Sequence, residues 1–207
     1  ANLMDDRLAK ILSEAGCQTV SFGIETGNEF IREKVLNKKI SDEQIIRCGK
    51  TIQKYGMQIQ TANMFCLPGE SLQDAYKTIE INHKAGTHLA FCSLFLPFPN
   101  TSLAKYCIEN GYLKSDYSFD DLPKSFLTKS MISLKDKMEI VNVQQLSYFF
   151  IRYPWFYKNF RWVVKFQKLK PLFFLIYLLS NFLRHKEERG RSYFSAFLYA
   201  WQFRKTI

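Results

Sequence analysis

Three times over the first half of the chain, apolar residues at helical spacing give way to a glycine and then to a short, strand-like run. Leu8, Ile11, Leu12 and Ala15 form the first helical stripe, Gly16 stands as its C-cap, and QTVSFGIE follows as a buried strand rich in β-branched and aromatic residues. Ser41 and Gln44 have the spacing of a capping box. Ile45, Cys48, Ile52 and Tyr55 lie on one face of the helix they open, Gly56 closes it, and MQIQTANMFCL is the second strand. The third round opens at Ser71 with Asp74 in the capping-box position, carries Leu72, Ala75 and Ile79 as its stripe, stops at Gly86 and ends in HLAFCSLFL.

Helix, glycine and strand in series predict parallel strands, because a parallel neighbour is reached only through a crossover. The first half is therefore read as α/β. Ligand-binding loops in such folds gather at the carboxyl ends of the strands, here GIETG, FCLPGES and LFLPFPNTS. From Cys107 onward the pattern changes. NGYLKSDYSFDDLPKSF has the composition of a connection, and SLKDKMEIVNVQQLSYFFIRYP reads as a capped helix ending near Pro154. PLFFLIYLLSNFL, the most apolar stretch, falls short of the roughly 20 residues that cross a bilayer and is read as a buried or interfacial helix.

The 207 residues, 47% hydrophobic and 16% aromatic, suffice for a self-sustaining core. The net charge of +10 is unevenly placed: after Glu139 the only acids are Glu187 and Glu188, while Lys and Arg continue to the end. A basic, aromatic segment of this kind can face RNA, anionic lipid or solvent. Cys17, Cys48, Cys66, Cys92 and Cys107 are odd in number and show neither C-x-x-C nor C-x-x-x-C spacing. Neither a disulfide framework nor a self-contained zinc site is indicated, and a reducing, cytoplasmic compartment is the expected home. The opening, ANLMDDRLAKILSEAG, has no secretory n-region, begins without Met and enters a helix almost at once, the pattern of a piece cut from something longer.

Among the strand ends, Glu25 carries the most chemistry. A carboxylate there suits recognition of two adjacent hydroxyls, as on a ribose, or else caps the helix start that Gly27, Asn28 and Glu29 suggest. Leu67-Pro68-Gly69 either lets a flat ring lie against main-chain groups or is a plain turn. Leu96-Pro97-Phe98-Pro99 breaks its strand and leaves carbonyls free to accept. His83 and His88 flank Gly86 at the opposite end and are assigned surface or packing roles; Cys66 and Cys92 are read as small hydrophobes. No Ser-His-Asp arrangement, Walker loop or G-x-G-x-x-G is present.

Taken in order, AGCQTVSFGIETGNEFIREKVLNKKISDEQI, NMFCLPGESLQDAYKTIE and FCSLFLPFPNTSLAKY resemble the second half of the partial barrel of radical S-adenosylmethionine (SAM) enzymes. GIETG is similar to the GIESG strand end of the cobalamin-binding group, and less so to the GVQS form of the methylthiotransferase-like group. The resemblance implies the second half of a partial (β/α) TIM-like barrel with parallel strands over residues 1–106, followed by a mainly helical, basic and aromatic extension over 107–207. It implies that Glu25 holds the ribose hydroxyls of SAM, that Leu67, Pro68, Gly69, Leu94, Phe95 and Leu96 line the adenine, and that Pro97, Phe98 and Thr101 shape the mouth on the substrate side. Asn63 stands where a glycine or apolar residue is expected, and either adjusts the pocket or faces elsewhere.

The resemblance also implies a [4Fe–4S] cluster on a C-x-x-x-C-x-x-C run, which is absent from these residues and is expected upstream of Ala1, with a cobalamin domain further upstream. No metal ligand is expected in this chain, and alone it should be inactive within a radical methylation or rearrangement enzyme. The expected partners are the upstream part of the same polypeptide and a small-molecule or lipid-like substrate, with peripheral membrane contact through the tail and no role for nucleic acid. The rival reading is a non-catalytic α/β binding protein whose basic tail contacts RNA or a protein partner.

Overall fold

The computed structural model describes residues 1–123, 125 and 127–189; the end of the basic, aromatic segment, 190–207, lies outside the described residues. Helix α1 (Asp6–Glu14) leads to strand β1 (Thr19–Glu25), α2 (Asp42–Lys54) to β2 (Gln58–Phe65), and α3 (Leu72–Ala85) to β3 (Leu89–Leu94). The three strands form one parallel sheet in the order β1-β2-β3. The expected α/β class and helical C-terminal part are thus both present.

The predicted punctuation holds. Ser41 and Gln44, and Ser71 and Asp74, make reciprocal capping boxes, and Gly16, Gly56 and Gly86 all have positive φ just past their helices. One stripe is corrected: α1 buries Ala9 against Cys48, Ile52 and Ile59 of the next unit, while Leu8 and Ile11 are exposed. Helix α1 meets the rest of the fold along the edge facing α2, so most of its apolar stripe lacks a covering layer among the described residues.

The sheet has two unlike sides. On the helix side, Ile59, Thr61, Asn63 and Phe65 of β2 are buried. On the open side, Gln60, Ala62 and Met64 are half-buried beside Ser21 and Gly23 of β1 and Phe91 and Ser93 of β3.

Beyond β3, α4 (Ser102–Glu109) and a long connection reach α5 (Lys137–Arg152), which packs on β3 and α3. The main core cluster joins Phe65, Ile79 and Leu94 to Ile140, Phe150 and Phe173, so both halves of the chain share it. Helix α5 begins three residues later than a Ser133 cap would place it, and its N-cap Asp136 makes no side-chain cap for it. That carboxylate instead accepts from the Leu72 amide at 3.1 Å, capping the first turn of α3. Pro154 does end α5, as the first residue of α6 (Pro154–Phe160). Two 3₁₀ turns then lead into α7 (Lys170–Arg189), which contains the apolar stretch 171–183 and packs along α5.

Candidate functional site at the strand carboxyl ends

Strand β1 ends in a bulge, because Gly23 pairs with Ala62 but Glu25 pairs with Asn63, leaving Ile24 as the extra residue. Ile24 goes into the core on the helix side, and Glu25 takes a left-handed φ of 69°. Few non-glycine residues adopt that region, and such strain concentrates at functional sites.

The carboxylate of Glu25 folds back over Gly23: a Cβ on Gly23 would lie 2.0 Å from its Oε1. Lys38 locks it there, donating from Nζ to Glu25 Oε1 at 2.8 Å and to the Gly23 carbonyl at 2.7 Å. Oε2 makes no hydrogen bond to the described residues, and the side chain is 22% exposed. Glu25 does not cap the following helical turn. Asn28 does, accepting from the Ile31 amide at 3.1 Å.

The loop beneath Glu25 is held by Arg32, whose buried guanidinium sits in a π-helical turn, Ile31–Val35. It donates to the Thr26 carbonyl at 2.6 Å, to the Ile40 carbonyl at 2.9 Å and to Asp42. Gly27 seals the same loop against α3, donating from its amide to Thr78 Oγ1 at 2.8 Å; a Cβ there would strike the Lys77 backbone at 2.2 Å. In GIETG, one glycine therefore makes room for the carboxylate and the other for the neighbouring helix.

Strand β2 ends in a second left-handed residue, Cys66, with φ 60°. Leu67-Pro68-Gly69-Glu70 then closes a turn, with the Glu70 amide donating to the Leu67 carbonyl at 3.0 Å and Gly69 at φ 80°, the pattern of a type II turn with Pro and Gly in their preferred places. Glu70 turns inward. Its Oε2 accepts from the Leu67 amide at 3.1 Å, while its buried Oε1 has no partner among the described residues. Burial pushes its pKa up to about 8.

Strand β3 joins this end directly, the Phe95 amide donating to the Phe65 carbonyl at 2.7 Å. Leu67, Pro68, Leu94 and Phe95 are buried and support the rim from below, whereas Gly69 is exposed and Leu96 half-buried. Tyr117 donates to the Pro97 carbonyl at 2.8 Å, Phe98 is exposed, and Thr101 caps α4 through the Ala104 amide at 3.2 Å. Beside them lies an open groove of about 560 Å³ lined by Pro99, Thr101, Lys105, Ile108 and Tyr117.

Glu25 ends β1, and Gly69 and Leu96 lie in the segments that follow β2 and β3, so all three belong to the carboxyl end of one sheet. Asn63 does not join them. It is buried on the helix side, its amide donating to Thr61 at 3.1 Å and its carbonyl accepting from Asn82 of α3 at 2.9 Å, so of the two readings it faces elsewhere. Lys38, Arg32 and Glu70 escaped the sequence reading, since a charged residue in a loop carries no signal of where it folds back.

The cysteines do not converge. Burial pushes the thiols of Cys66 up to about 12 and of Cys92 and Cys107 up to about 11, which keeps them protonated and unsuited to metal ligation. Among the described residues no three His, Cys, Asp or Glu side chains could hold a metal ion.

Residues 1–81 match the family model of the radical SAM superfamily. The chain is 32% identical over 112 residues to an uncharacterized methyltransferase of Pyrococcus horikoshii, covering 54% of this chain and 24% of that protein. It is 23% identical over 121 residues to the cytidylyl-2-hydroxyethylphosphonate methyltransferase of Streptomyces wedmorensis, covering 56% and 23%. An uncharacterized protein of Methanocaldococcus jannaschii is 24% identical over 108 residues, covering 51% and 21%. The chain spans about a quarter of the length of these curated relatives.

Proposed function

We propose, from residues 1–81, which match the family model of the radical SAM superfamily, that this chain forms one wall of the SAM pocket of a radical methyltransferase. The reading is supported by the placement of Glu25 at the end of β1 and of Gly69 and Leu96 in the segments that follow β2 and β3, at the carboxyl end of one parallel sheet. Two of the relatives named above are methyltransferases, which favours methyl transfer over rearrangement.

The residues fit the nucleoside part of SAM. Glu25 keeps Oε2 unengaged and has a second lone pair on the oxygen that Lys38 holds, so it can accept from two ribose hydroxyls. Lys38 keeps that carboxylate in one orientation before any ligand arrives. Gly69 offers main chain without a side chain for the adenine, and Leu96 offers an apolar edge; Leu67 and Phe95 position them. Pro97, Phe98 and Thr101 would lie toward the substrate.

When bound and reduced at a [4Fe–4S] cluster, SAM supplies a carbon-centred radical. The described residues do not fit that cluster, and its ligands are assigned outside them. Cobalamin is the proposed methyl carrier, supported by the GIETG form of the β1 end, and it too would be held elsewhere in the parent protein. This chain by itself is then expected to form no cluster and to cleave no SAM.

The test uses the complete parent polypeptide, reconstituted anaerobically with iron and sulfide. Glu25→Ala is expected to weaken SAM binding by about tenfold, the loss of a hydrogen-bonded charged group, with the cluster absorbance unchanged. Unaltered SAM affinity in that variant would remove Glu25 from the pocket.

A further inference from the structure

The layer made of α6, the two 3₁₀ turns and α7 packs on the main core through Tyr157, Val164 and Phe173. Its outward surface carries many exposed apolar side chains. Trp155 is 63% exposed, Trp162 54% and Leu175 62%, and Phe166, Leu172 and Leu179 are exposed with them. In α7 the division runs by face: Phe173, Tyr177 and Ser180 are buried, while Leu172, Leu175 and Leu179 form a second apolar stripe with nothing packed on it among the described residues. Exposed apolar surface on this scale marks a docking site.

Charge identifies what docks. Lys158, Lys165, Lys168 and Lys170 are exposed among the rings and leucines, and none has an ion-pair partner among the described residues. No acidic residue occurs between Glu139 and Glu187. A second copy of the chain would set these lysines against their own equivalents in a two-fold contact. A single-stranded nucleic acid would satisfy the lysines but has no use for a leucine stripe, since its bases stack on aromatic rings. An anionic bilayer surface accommodates all three residue types: leucines enter the acyl boundary, indole rings sit at headgroup level, and lysines extend to lipid phosphates. No described helix is long and apolar enough to cross a membrane, so the contact lies in the plane of the surface.

We propose that the face carrying Trp155, Trp162, Leu172, Leu175 and Leu179 with these four lysines docks the protein on an anionic lipid surface. This does not rest on the SAM reading, and its test involves no catalysis.

The 207-residue chain is floated with vesicles of phosphatidylcholine alone and of equimolar phosphatidylcholine and phosphatidylglycerol. Flotation with the anionic vesicles only is expected, together with a blue shift of tryptophan emission in a Trp201→Phe background that leaves Trp155 and Trp162 as reporters. Lys165→Gln with Lys168→Gln is expected to cut partitioning by about tenfold or more, and Leu175→Ser with Leu179→Ser to cut it comparably. Should the leucine variant unfold, as judged by circular dichroism, the lysine variant decides, because those side chains are exposed and without an ion-pair partner among the described residues. Equal flotation with neutral vesicles, no flotation, or both variants behaving as the parent would overturn the proposal. So would lipid-free dimerisation that the leucine variant abolishes, or binding of single-stranded RNA that the lysine variant weakens while flotation persists.

Discussion

Glu25, the last residue of β1, and Glu70, in the turn that follows β2, live in opposite conditions. Glu25 is partly exposed, locked by the Lys38 ammonium, and keeps an oxygen open toward solvent. Glu70, one strand over, is buried without a cation, holds the Leu67 amide and leaves Oε1 without a partner. The first, on the function proposed above, meets the ribose of SAM with its charge compensated in advance. The second ties down the turn after β2, and its environment favours the neutral acid. Two carboxylates near neighbouring strand ends, one closing β1 and one five residues past β2, can thus be held in opposite environments, depending on whether a lysine reaches them.

This contrast can be broken most severely at Arg32. Arg32→Met strips the Thr26 and Ile40 carbonyls and Asp42 of their donor and is expected to cost about 4 kcal/mol, as when one member of a buried charge network is removed; urea unfolding measures it. A variant within 1 kcal/mol of the parent, a bound taken from that same estimate, would mean the β1 end holds its shape without this clamp.

The next largest effect is the pH response of Glu70. Its folded pKa lies above the unfolded one, so the stability it contributes is fully present below the ordinary carboxylate range and is lost as pH rises to about 8. Glu70→Gln should flatten that decline and make the variant more stable than the parent above pH 8, read from unfolding midpoints across pH. A parallel decline in both proteins would assign the effect to other groups.

Lys38→Met sharpens the comparison from the other side. It removes the cation that distinguishes Glu25 from Glu70 and is expected to weaken SAM binding in the parent protein by about fivefold, less than loss of Glu25 itself, since only orientation is disturbed. Equilibrium dialysis at fixed salt checks it. The smallest effect is expected at Gly69→Ala, about 1 kcal/mol of destabilisation from placing a side chain at φ 80°, with the added methyl only 3.3 Å from the Tyr112 hydroxyl; a thermal-unfolding comparison decides.

Much of the fold was readable because its signals are local. Ser41 with Gln44, Ser71 with Asp74, and the three closing glycines act within four residues of where they stand, and each does in the structure what its spacing suggests. What escaped depends on distance. Lys38 reaches Glu25 from thirteen positions away, and Arg32 matters through carbonyls contributed by two separate loops. The exposure of Leu8 and Ile11 reflects which neighbours are present, not the periodicity of their helix. At the site, the three segments were legible as strand ends, but periodicity could not tell Glu70 from a solvent-facing first-turn acid, nor show that Asn63 answers to Asn82 on α3.

The bond from Leu72 to Asp136 joins residues 64 positions apart. As the chain leaves the ribosome, the turn after β2 and its own Ser71 cap can form early, but the Leu72 amide must wait for a segment translated much later. The start of α3 is therefore fully capped only once the start of α5 has emerged, so a nascent chain halted before that point would carry the sheet without its completed edge.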